Sequence, residues 1–345
     1  ANLSPLSVFR FVAMSAPPPP PGAPPPGGRA PPRPGRPAAR PSGGSQSNSL
    51  TSEHSSPSSH KVSSGTSGGA VMPTGDGTKL RYRLGGCVGE GATGKVFVGL
   101  NVSTGDLLAV KQIDFDNITR DELQAIEQEI LLLQKLRHDH IVSYIAIDIT
   151  ETNLNILMEF CPGGSVAHLL KAFGPLEEDV IRSYTRQVLE GLDYLHQNLA
   201  VHRDIKGANI LVAHNGILKI ADFGATLMLT GCKTMTEDGK QIQGTPYWMA
   251  PEVIKQEAYG RKADIWSLGM TVLEMATAKH PWEKFSNKFS AMTEIASGTT
   301  LPDVPPHLSP SCTEFMRLCI QRDAAKRPRA EELLKHAFFA MTPQA

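Results

Sequence analysis

The chain has 345 residues and a formal net charge of zero, because 34 Lys and Arg balance 34 Asp and Glu. This length predicts one domain with a further segment, or two lobes, and the balanced charge removes any general electrostatic attraction to nucleic acid or an acidic membrane surface. No apolar run approaches the roughly 18 residues that a membrane helix needs, so we expect neither nucleic acid nor membrane as a partner.

The five cysteines are scattered along the chain and include no CxxC pair. This pattern predicts neither a disulfide framework nor a zinc site. Cysteines without a disulfide pattern are typical of a reducing compartment, and we therefore expect a cytoplasmic protein. The residues concerned are Cys87, Cys161, Cys232, Cys312 and Cys319.

Residues 1–76 are rich in Pro, Ser and Gly, and include the run PPPPPGAPPP from Pro17. Such a composition cannot bury enough apolar surface to offset chain entropy, which predicts a disordered tail. The prolines with interspersed arginines favour polyproline II ligands for SH3 or WW domains, although a plain tail or linker has the same composition. The lack of acids before Glu53 is also a feature of organelle transit peptides, but the prolines oppose the amphipathic helix of such a signal.

Ordered structure is expected from about Lys79, where residues 80–84 alternate between apolar and polar. Gly89, Gly91 and Gly94 then follow the GxGxxG spacing between two strand-like runs. Glycines let backbone N–H groups approach a phosphate closely. A dinucleotide-binding fold is disfavoured because the glycines lead into a strand rather than a helix, which leaves a simple hairpin turn or a nucleotide flap.

Lys111 interrupts an otherwise apolar strand predicted at 107–113. It either points to solvent or meets a buried anion that a carboxylate helps to hold. A capping-box signature at 119–122 opens a helix, and Glu129 lies beside its apolar stripe. Glu129 is either a surface residue or the carboxylate that faces Lys111.

Two further strands are predicted at 141–149 and 154–160, followed by a break at 161–164 and a helix that opens at 175–179. Two short apolar runs, 210–212 and 217–220, predict a hairpin with polar residues at both ends. Asp204, Asn209 and Asp222 would converge there, and their oxygens suit Mg²⁺. The alternative is a turn whose Asp and Asn bind their own backbone.

The motifs together resemble the eukaryotic protein kinase family. In chain order they are GEGATGKV (89–96), LAVK (108–111), a helix Glu, HRDIKGAN (202–209), DFG (222–224), APE (250–252), DIWSLG (264–269) and KRP (326–328). The resemblance implies an α+β, bilobal fold with an antiparallel sheet and one helix in the small lobe and a mainly helical large lobe. It places the small lobe at 77–158, the hinge at 159–164 and the large lobe at 165–340.

The resemblance also implies roles for individual residues. Asp204 would orient the acceptor hydroxyl and take its proton, Lys206 would steady the transferred phosphate, and Asn209 and Asp222 would hold Mg²⁺. Glu129 would hold Lys111, and Glu252 with Arg327 and the acid Asp264 would have structural roles. ATP would bind to Val88, Gly89, Gly91, Gly94, Val96, Ala109, Lys111, Met158, Glu159, Cys161 and Leu211.

Lys206 and the segment GTPYWMAPE resemble the serine/threonine kinases, and other strings resemble the STE group. MEKK-type mitogen-activated protein kinase kinase kinases are the most similar members, which implies a MAP kinase kinase as substrate. STE20-like kinases are the alternative within the family. The rival functional classes are a pseudokinase scaffold and an adaptor that acts through its Pro-rich tail. Thr234 and Thr236 are candidate phosphorylation sites that Arg203 and Lys219 could bind once phosphorylated. Thr245 is better suited to substrate binding.

Overall fold

The computed structural model describes residues 70–71, 80–91, 94–114, 136–150, 152–222, 227–228, 246–257, 259–285 and 287–340. All of them belong to one compact unit, residues 63–345. Some predictions lie outside the described residues, namely those for 1–69, for the helix that contains Glu129, and for Thr234, Thr236 and Thr245.

The small lobe is built on an antiparallel sheet with the strand order β1-β5-β6-β4-β3-β2. Alternating apolar and polar residues favour these strands, and the predicted antiparallel sheet is confirmed. The strands are β1 (Ala70–Val71), β2 (Tyr82–Gly91), β3 (Gly94–Asn101), β4 (Leu107–Asp114), β5 (Tyr144–Ile149) and β6 (Asn153–Glu159).

Strand β1 differs from the prediction of disorder for 1–76. Ala70 pairs with Ile149 and Val71 with Asp148 at the edge of the sheet. An edge strand is held by backbone hydrogen bonds, so residues that have little apolar surface to bury can still join it. Composition alone could not indicate this pairing.

The two faces of β4 have different surroundings. Leu108 and Val110 are buried in an apolar cluster with Tyr82, Ala146 and Leu157. Because side chains alternate along a strand, Ala109 and Lys111 lie on the opposite face. The apolar cluster therefore fixes the strand that presents Lys111.

The described residues of the large lobe form seven α-helices, which confirms the predicted mainly helical character. None of the helices in the described ranges combines the length and apolar content that crossing a membrane requires. The helices are α1 (Val166–Phe173), α2 (Glu178–Gln197), α3 (Pro251–Ile254), α4 (Arg261–Thr277), α5 (Lys288–Ser297), α6 (Pro310–Cys319) and α7 (Ala330–Leu333).

Helix α4 is the centre of the large lobe, since every residue from Ala263 to Ala276 is buried. Helix α2 packs against it through an apolar stripe that the sequence predicted, with Ile181, Val188 and Leu192 fully buried. Polar side chains on a helix as buried as α4 need hydrogen-bond partners inside the protein. For Asp264, Ser267 and Glu274 such partners are found on the loops at 202–207 and 246–248.

Four short strands complete the large lobe: β7 (Ala200–Val201), β8 (Ile210–Val212), β9 (Leu218–Ile220) and β10 (Leu227–Met228). The predicted hairpin is confirmed, since β8 and β9 are antiparallel and joined by a turn in which Gly216 has a φ of 75°. The strand predicted at 141–149 begins only at Tyr144. Ile141 instead forms a parallel bridge with Ile220 of β9, so this part of the chain contacts the large lobe before it enters the sheet.

Candidate active site

A cleft of about 590 Å³ is lined by residues from the sheet, the predicted hinge and the β8–β9 hairpin. Every described residue that the resemblance assigned to ATP or metal binding lines this cleft. From the sheet and hinge these are Val88, Gly89, Gly91, Gly94, Val96, Ala109, Lys111, Met158, Glu159 and Cys161, and from the hairpin region Asn209, Leu211 and Asp222. Glu129 lies outside the described residues.

Several apolar residues of the cleft were not predicted from the sequence. Val142 and Ala221 form a small apolar cluster with Cys161, and Met158 and Leu211 pack against it. The Val142 N–H donates to the carbonyl oxygen of Ile220 at 2.9 Å. The usable signal was their position, since Ala221 follows β9 directly and Val142 directly precedes the sheet.

Gly94 is required by the turn between β2 and β3. Its φ is 130°, and a Cβ there would overlap the carbonyl oxygen of Gln112 on the neighbouring strand. Gly94 pairs with Gly91 at the end of the hairpin, next to the cleft. These glycines therefore let the backbone of the β2–β3 hairpin lie close to the cleft.

Lys111 crosses the cleft to the large lobe. Its Nζ lies 2.8 Å from Oδ1 of Asp222, and the side chains are 11% and 43% exposed. Asp222 has a φ of 61°, so its backbone is held in a conformation that non-glycine residues rarely adopt. The two groups that the resemblance assigned to phosphate and metal are therefore in contact.

Asp204 is at the centre of a compact polar group on the loop before β8. Lys206 Nζ lies 2.6 Å from its Oδ2. The Asn209 side-chain amide donates both to this oxygen and to the Asp204 carbonyl oxygen, each at 2.8 Å. With both amide protons used in this way, the Asn209 carbonyl oxygen is the part of the side chain that suits a cation.

The backbone of this loop is attached to α4 by Asp264, which is fully buried. Its carboxylate accepts from the N–H groups of His202 and Arg203 at 3.0 and 2.8 Å, and contacts His196 Nε2 at 2.9 Å. Burial alone raises the pKa of the Asp264 carboxyl, but the hydrogen bond and charge of His196, with the other donors, lower it overall. The carboxylate compensates for a strained backbone, since Arg203 has a φ of 73°.

A second acid of α4, Glu274, also reaches the loop and was missed by the sequence analysis. Its Oε2 accepts from the Gly207 N–H at 2.8 Å and from the Trp248 indole N–H at 3.0 Å. Burial raises the pKa of the Glu274 carboxyl, although these hydrogen bonds and the charge of Lys206 act in the opposite direction. No local sequence pattern indicates a contact between residues 67 positions apart.

Two polar groups border the predicted hinge. Glu159 accepts through Oε1 from Lys219 Nζ at 2.9 Å and from the Ser143 N–H at 2.9 Å. The suggestion that Lys219 would bind a phosphate on the segment after 224 is therefore corrected, because Lys219 is paired with Glu159. Burial, and then the charge of Glu159, raise the pKa of the neighbouring Cys161 thiol to about 11.

Arg203 lies at the edge of the same site. Its guanidinium is 5.0 Å from the ring centroid of Tyr259, and among the residues that the structure describes none accepts a hydrogen bond from its buried Nε. Burial lowers the pKa of this guanidinium, although Arg remains a cation at neutral pH. The arrangement keeps a positive charge at the start of the loop that contains Asp204.

Deeper in the large lobe, Arg327 and Glu252 form the buried ion pair that the resemblance implied. Arg327 Nη1 and Nη2 lie 2.5 and 2.8 Å from the two carboxylate oxygens. The guanidinium also lies over the ring of Trp266 at 5.1 Å. This pair stabilises the lobe and takes no part in the cleft.

The cleft offers an apolar wall, the ammonium group of Lys111 and the side-chain oxygens of Asn209 and Asp222. Asp204 and Lys206 lie beside it, joined to it through Asn209. Such a set binds a flat apolar ring at one end and a polyanion at the other. Asp204 lies beside Lys206, so a carboxylate can accept a proton while a cation holds an adjacent anionic group. This chemistry fits group transfer from a bound polyphosphate.

The profile of the family described as "Protein kinase domain" matches residues 82–339. The chain is 49% identical over 265 residues to mitogen-activated protein kinase kinase kinase 3 of Homo sapiens, and 46% identical over 265 residues to mitogen-activated protein kinase kinase kinase ANP1 of Arabidopsis thaliana. It is 44% identical over 264 residues to mitogen-activated protein kinase kinase kinase A of Dictyostelium discoideum. Each match covers 75% of this chain but only 42%, 40% and 28% of the respective relative.

Proposed function

Because the chain belongs to the protein kinase domain family, which uses ATP, we propose that it transfers the γ-phosphate of ATP to serine or threonine hydroxyls of a protein. The observation that carries this proposal is the contact of Asp204 with both Lys206 and Asn209. A carboxylate that must accept a proton needs a defined orientation, and these contacts supply it. The chain spans less than half the length of the three relatives, so the activity is proposed for this domain.

The small lobe would hold the nucleotide. Ala109 and Val96 lie above the cleft and Leu211 lies on its other side, where an adenine ring would be enclosed by apolar groups. Backbone N–H groups at Gly89 and Gly91 would approach the phosphates, and Lys111 would neutralise part of their charge. With these contacts the γ-phosphate would point toward Asp204.

Asn209 and Asp222 would hold Mg²⁺ at the phosphate end of the cleft. The donor set fits, because the carboxylate of Asp222 and the amide oxygen of Asn209 are hard oxygen ligands that line the same cleft. When bound, Mg²⁺ neutralises negative charge on the phosphate oxygens. Asp222 would have both this task and the contact with Lys111.

In the reaction, the acceptor hydroxyl oxygen forms a bond to the γ-phosphorus, the bond from phosphorus to the bridging oxygen breaks, and ADP leaves. Asp204 orients the hydroxyl and accepts its proton. Lys206 places its ammonium where the transferred phosphoryl group passes, which stabilises the spread negative charge. Because backbone contacts to α4 already hold these residues in place, little free energy is needed to reorganise them for the reaction.

The substrate that we propose is a MAP kinase kinase, supported by the names of the three relatives and by the strings that resemble MEKK-type enzymes. An STE20-like kinase is the alternative within the same reaction class. A substrate panel that compares MAP kinase kinases with generic Ser/Thr peptides separates the two. Preference for the peptides over every MAP kinase kinase would overturn the first assignment.

The reaction itself is tested with purified protein, ATP and Mg²⁺, using wild type, Asp204→Asn and the matched control Asp303→Asn. Asp303 is a surface carboxylate, 73% exposed, that pairs with Lys284. We expect transfer by wild type and Asp303→Asn, and a loss of about 10²–10⁴-fold in kcat for Asp204→Asn. Nucleotide binding without transfer by wild type would instead support a pseudokinase scaffold.

Regulation through Thr234 and Thr236 is proposed on the sequence and on the half-buried cation of Arg203, which lies beside Tyr259. A phosphate on either threonine would add charge that Arg203 can pair with. Phosphatase treatment and the Thr234→Ala/Thr236→Ala variant should both lower activity. Unchanged activity in both would contradict the regulation while leaving the reaction intact.

The Pro-rich segment within residues 1–76 is proposed to bind SH3 or WW domains in the cytoplasm. The support is its composition, in which prolines alternate with Arg29, Arg33 and Arg36. Titration of the full chain with isolated SH3 and WW domains should show binding that a chain without residues 1–69 lacks. Equal binding by both chains would contradict this role, and fluorescence microscopy of the tagged chain tests the location.

A further inference from the structure

A second cavity lies in the large lobe, between the start of α4 and the loop that joins α6 to α7. Its volume is about 650 Å³, and it shares no lining residue with the cleft of the candidate active site. We call this space the basic cavity, because most of the charged side chains that line it are cations. Its lining includes the cations Lys262, Lys326, Arg327 and Arg329 and the apolar residues Leu318 and Pro328.

The loop on one side of the basic cavity is firmly attached to α4. Arg327 Nη1 donates to the Lys262 carbonyl oxygen at 2.9 Å, and Lys262 Nζ donates in return to the Arg327 carbonyl oxygen. The Arg327 guanidinium is also paired with Glu252, so its charge is compensated inside the protein. These contacts hold Lys262 beside the loop and leave the charges of the other three cations at the cavity.

Those three cations are poorly compensated by the acids around them. In the part of the chain that the structure describes, neither Lys262 nor Lys326 forms an ion pair with a carboxylate. Arg329 approaches Glu331 only to 3.7 Å, and its side chain is 70% exposed. Glu332 is the acid of the lining, and its Oε2 accepts from the Arg329 backbone N–H at 2.6 Å. The lining therefore has an excess of positive charge.

Lys262 is the cation of this group that would gain most from a bound anion. It is half-buried at the start of α4. Burial lowers the pKa of its ammonium, an effect that the charge of Glu332 opposes and the charges of Arg329 and Arg327 reinforce. An ammonium that has lost solvent and faces other cations is stabilised when an anion lies beside it. The fold thus keeps a charge that an anionic group of a partner can neutralise.

The charge and lining of the basic cavity favour one class of ligand. A phosphate monoester has a charge of about −1.5 to −2 and three acceptor oxygens, so it can contact three cations at once. A carboxylate has a single charge and two oxygens and would use fewer of them. Leu318 and Pro328 add apolar surface, which suits the side chain next to a phosphorylated residue. The zero net charge of the chain and the confined position of these cations disfavour nucleic acid.

We propose that the basic cavity binds a phosphorylated serine or threonine of a partner protein. The phosphate contacts Lys262, Lys326 and Arg329, and an apolar residue next to it in the partner packs on Leu318 and Pro328. No step of the phosphoryl transfer uses this cavity, so the proposal goes beyond the proposed function and does not depend on it. The site gives the chain a means to associate with proteins that have already been phosphorylated.

The test uses the purified full chain without ATP and immobilised peptide libraries. The libraries have randomised residues around a central phosphoserine, phosphothreonine or unphosphorylated serine, and the retained chain is measured over a range of concentrations. Lys326→Gln/Arg329→Gln removes two cations of the cavity. Lys279→Gln/Lys284→Gln is the matched control, because it removes two cations that are 58% and 73% exposed elsewhere on the large lobe. Lys111→Met tests binding in the cleft of the candidate active site.

We expect wild type, the matched control and Lys111→Met to bind the phosphorylated libraries equally well. Lys326→Gln/Arg329→Gln should bind them about 10- to 100-fold more weakly, because charge-assisted hydrogen bonds to the phosphate are lost. Lys262→Met should bind about tenfold more weakly, and thermal midpoints show whether each variant is folded. The retained peptides should be enriched in apolar residues next to the phosphorylated position. Inorganic phosphate should compete only at concentrations well above those of a retained phosphopeptide.

Several outcomes would overturn the proposal. Equal binding of phosphorylated and unphosphorylated libraries would show that the phosphate is not recognised. Equal losses in Lys326→Gln/Arg329→Gln and in the matched control would indicate a general effect of charge, and a loss in Lys111→Met alone would place the phosphate in the other cleft. Competition by inorganic phosphate at the concentration of the phosphopeptide would reduce the cavity to a site for the free ion. Binding of phosphatidylserine vesicles through Lys326 and Arg329, without binding of phosphopeptides, would assign it to a membrane surface.

Discussion

Lys219 on β9 is bound to Glu159, the first residue of the predicted hinge, with 2.9 Å between Nζ and Oε1. The same oxygen accepts from the Ser143 N–H at 2.9 Å, and the two side chains are only 13% and 29% exposed. The end of β6 is thus tied to the large-lobe hairpin and to the segment before β5. These contacts on both sides hold the backbone of the predicted hinge in one position at the cleft.

Replacement of Lys219 by Met should therefore weaken nucleotide binding. We expect KM for ATP to rise several-fold and the free energy of unfolding to fall by about 1 kcal/mol, because a largely buried carboxylate loses its cation but keeps one N–H donor. Steady-state kinetics at varied ATP and urea unfolding measure the two effects. Lys279→Met, in a pair with Glu283 where both side chains are more than half exposed, is the control and should match wild type. An ATP KM equal to wild type in Lys219→Met would contradict the role.

Asp264 should make stability depend on acid pH. The folded state lowers the pKa of its carboxyl through His196, His202 and the Arg203 N–H, despite the opposing effect of burial. A depressed folded pKa contributes stability above the unfolded value of about 3.9, and this stability is lost as the pH falls below it. The difference in urea midpoint between wild type and Asp264→Asn should be large at pH 7 and shrink toward pH 3. A constant difference across that range would show that the charge is not responsible.

Loss of one member of the buried ion pair should lower the free energy of unfolding of the large lobe. Arg327→Met leaves Glu252, which is 7% exposed, without its cation, and we expect a loss of about 3–5 kcal/mol in the free energy of unfolding. The double variant Arg327→Met/Glu252→Leu should lose clearly less than the sum of the single variants. Denaturant unfolding of all three tests this. Additive losses would indicate that the two side chains act independently.

A methyl group at Gly163 should disturb the floor of the cleft. An added Cβ would lie 2.8 Å from the Val212 Cβ and 2.9 Å from its carbonyl oxygen, where the Gly163 N–H now donates at 2.9 Å. We expect Gly163→Ala to raise KM for ATP several-fold and to cost about 1–3 kcal/mol of stability. Gly260→Ala is the matched control, because nothing lies within 4 Å of its added Cβ. Similar effects from both substitutions would contradict a local cause.

Local patterns predicted part of the fold. Alternation and short apolar runs predicted the strands of the sheet and the hairpin, and helical spacing predicted α2 with its buried Ile181 and Leu192. The edge strand at Ala70–Val71 was not predicted, because the Pro-, Ser- and Gly-rich composition around it gives no strand pattern. The start of β5 was placed too early because an apolar residue such as Ile141 fits a strand and a bridge equally well.

The residues of the candidate site were predicted from a different feature of the sequence, the position of polar residues relative to the strands. Asp204 and Asn209 precede β8 and Asp222 follows β9, so the predicted hairpin already placed the three residues together. The contacts of Lys219 with Glu159 and of Glu274 with Gly207 join residues far apart in the chain, and no periodicity encodes them. Such pairs depend on how the hairpin and α4 pack, which a single sequence does not specify residue by residue.

The pair of Arg327 and Glu252 also bears on how the protein is made. The ribosome delivers Arg327 75 residues after Glu252, so for that interval the nascent large lobe contains a carboxylate destined for burial without the guanidinium that compensates it. The sheet of the small lobe, by contrast, is complete once Glu159 has emerged. Synthesis therefore favours an N-terminal half that folds early and a C-terminal half that closes only when the last helices have been made. Between these two events, chaperones have the most exposed apolar surface to bind.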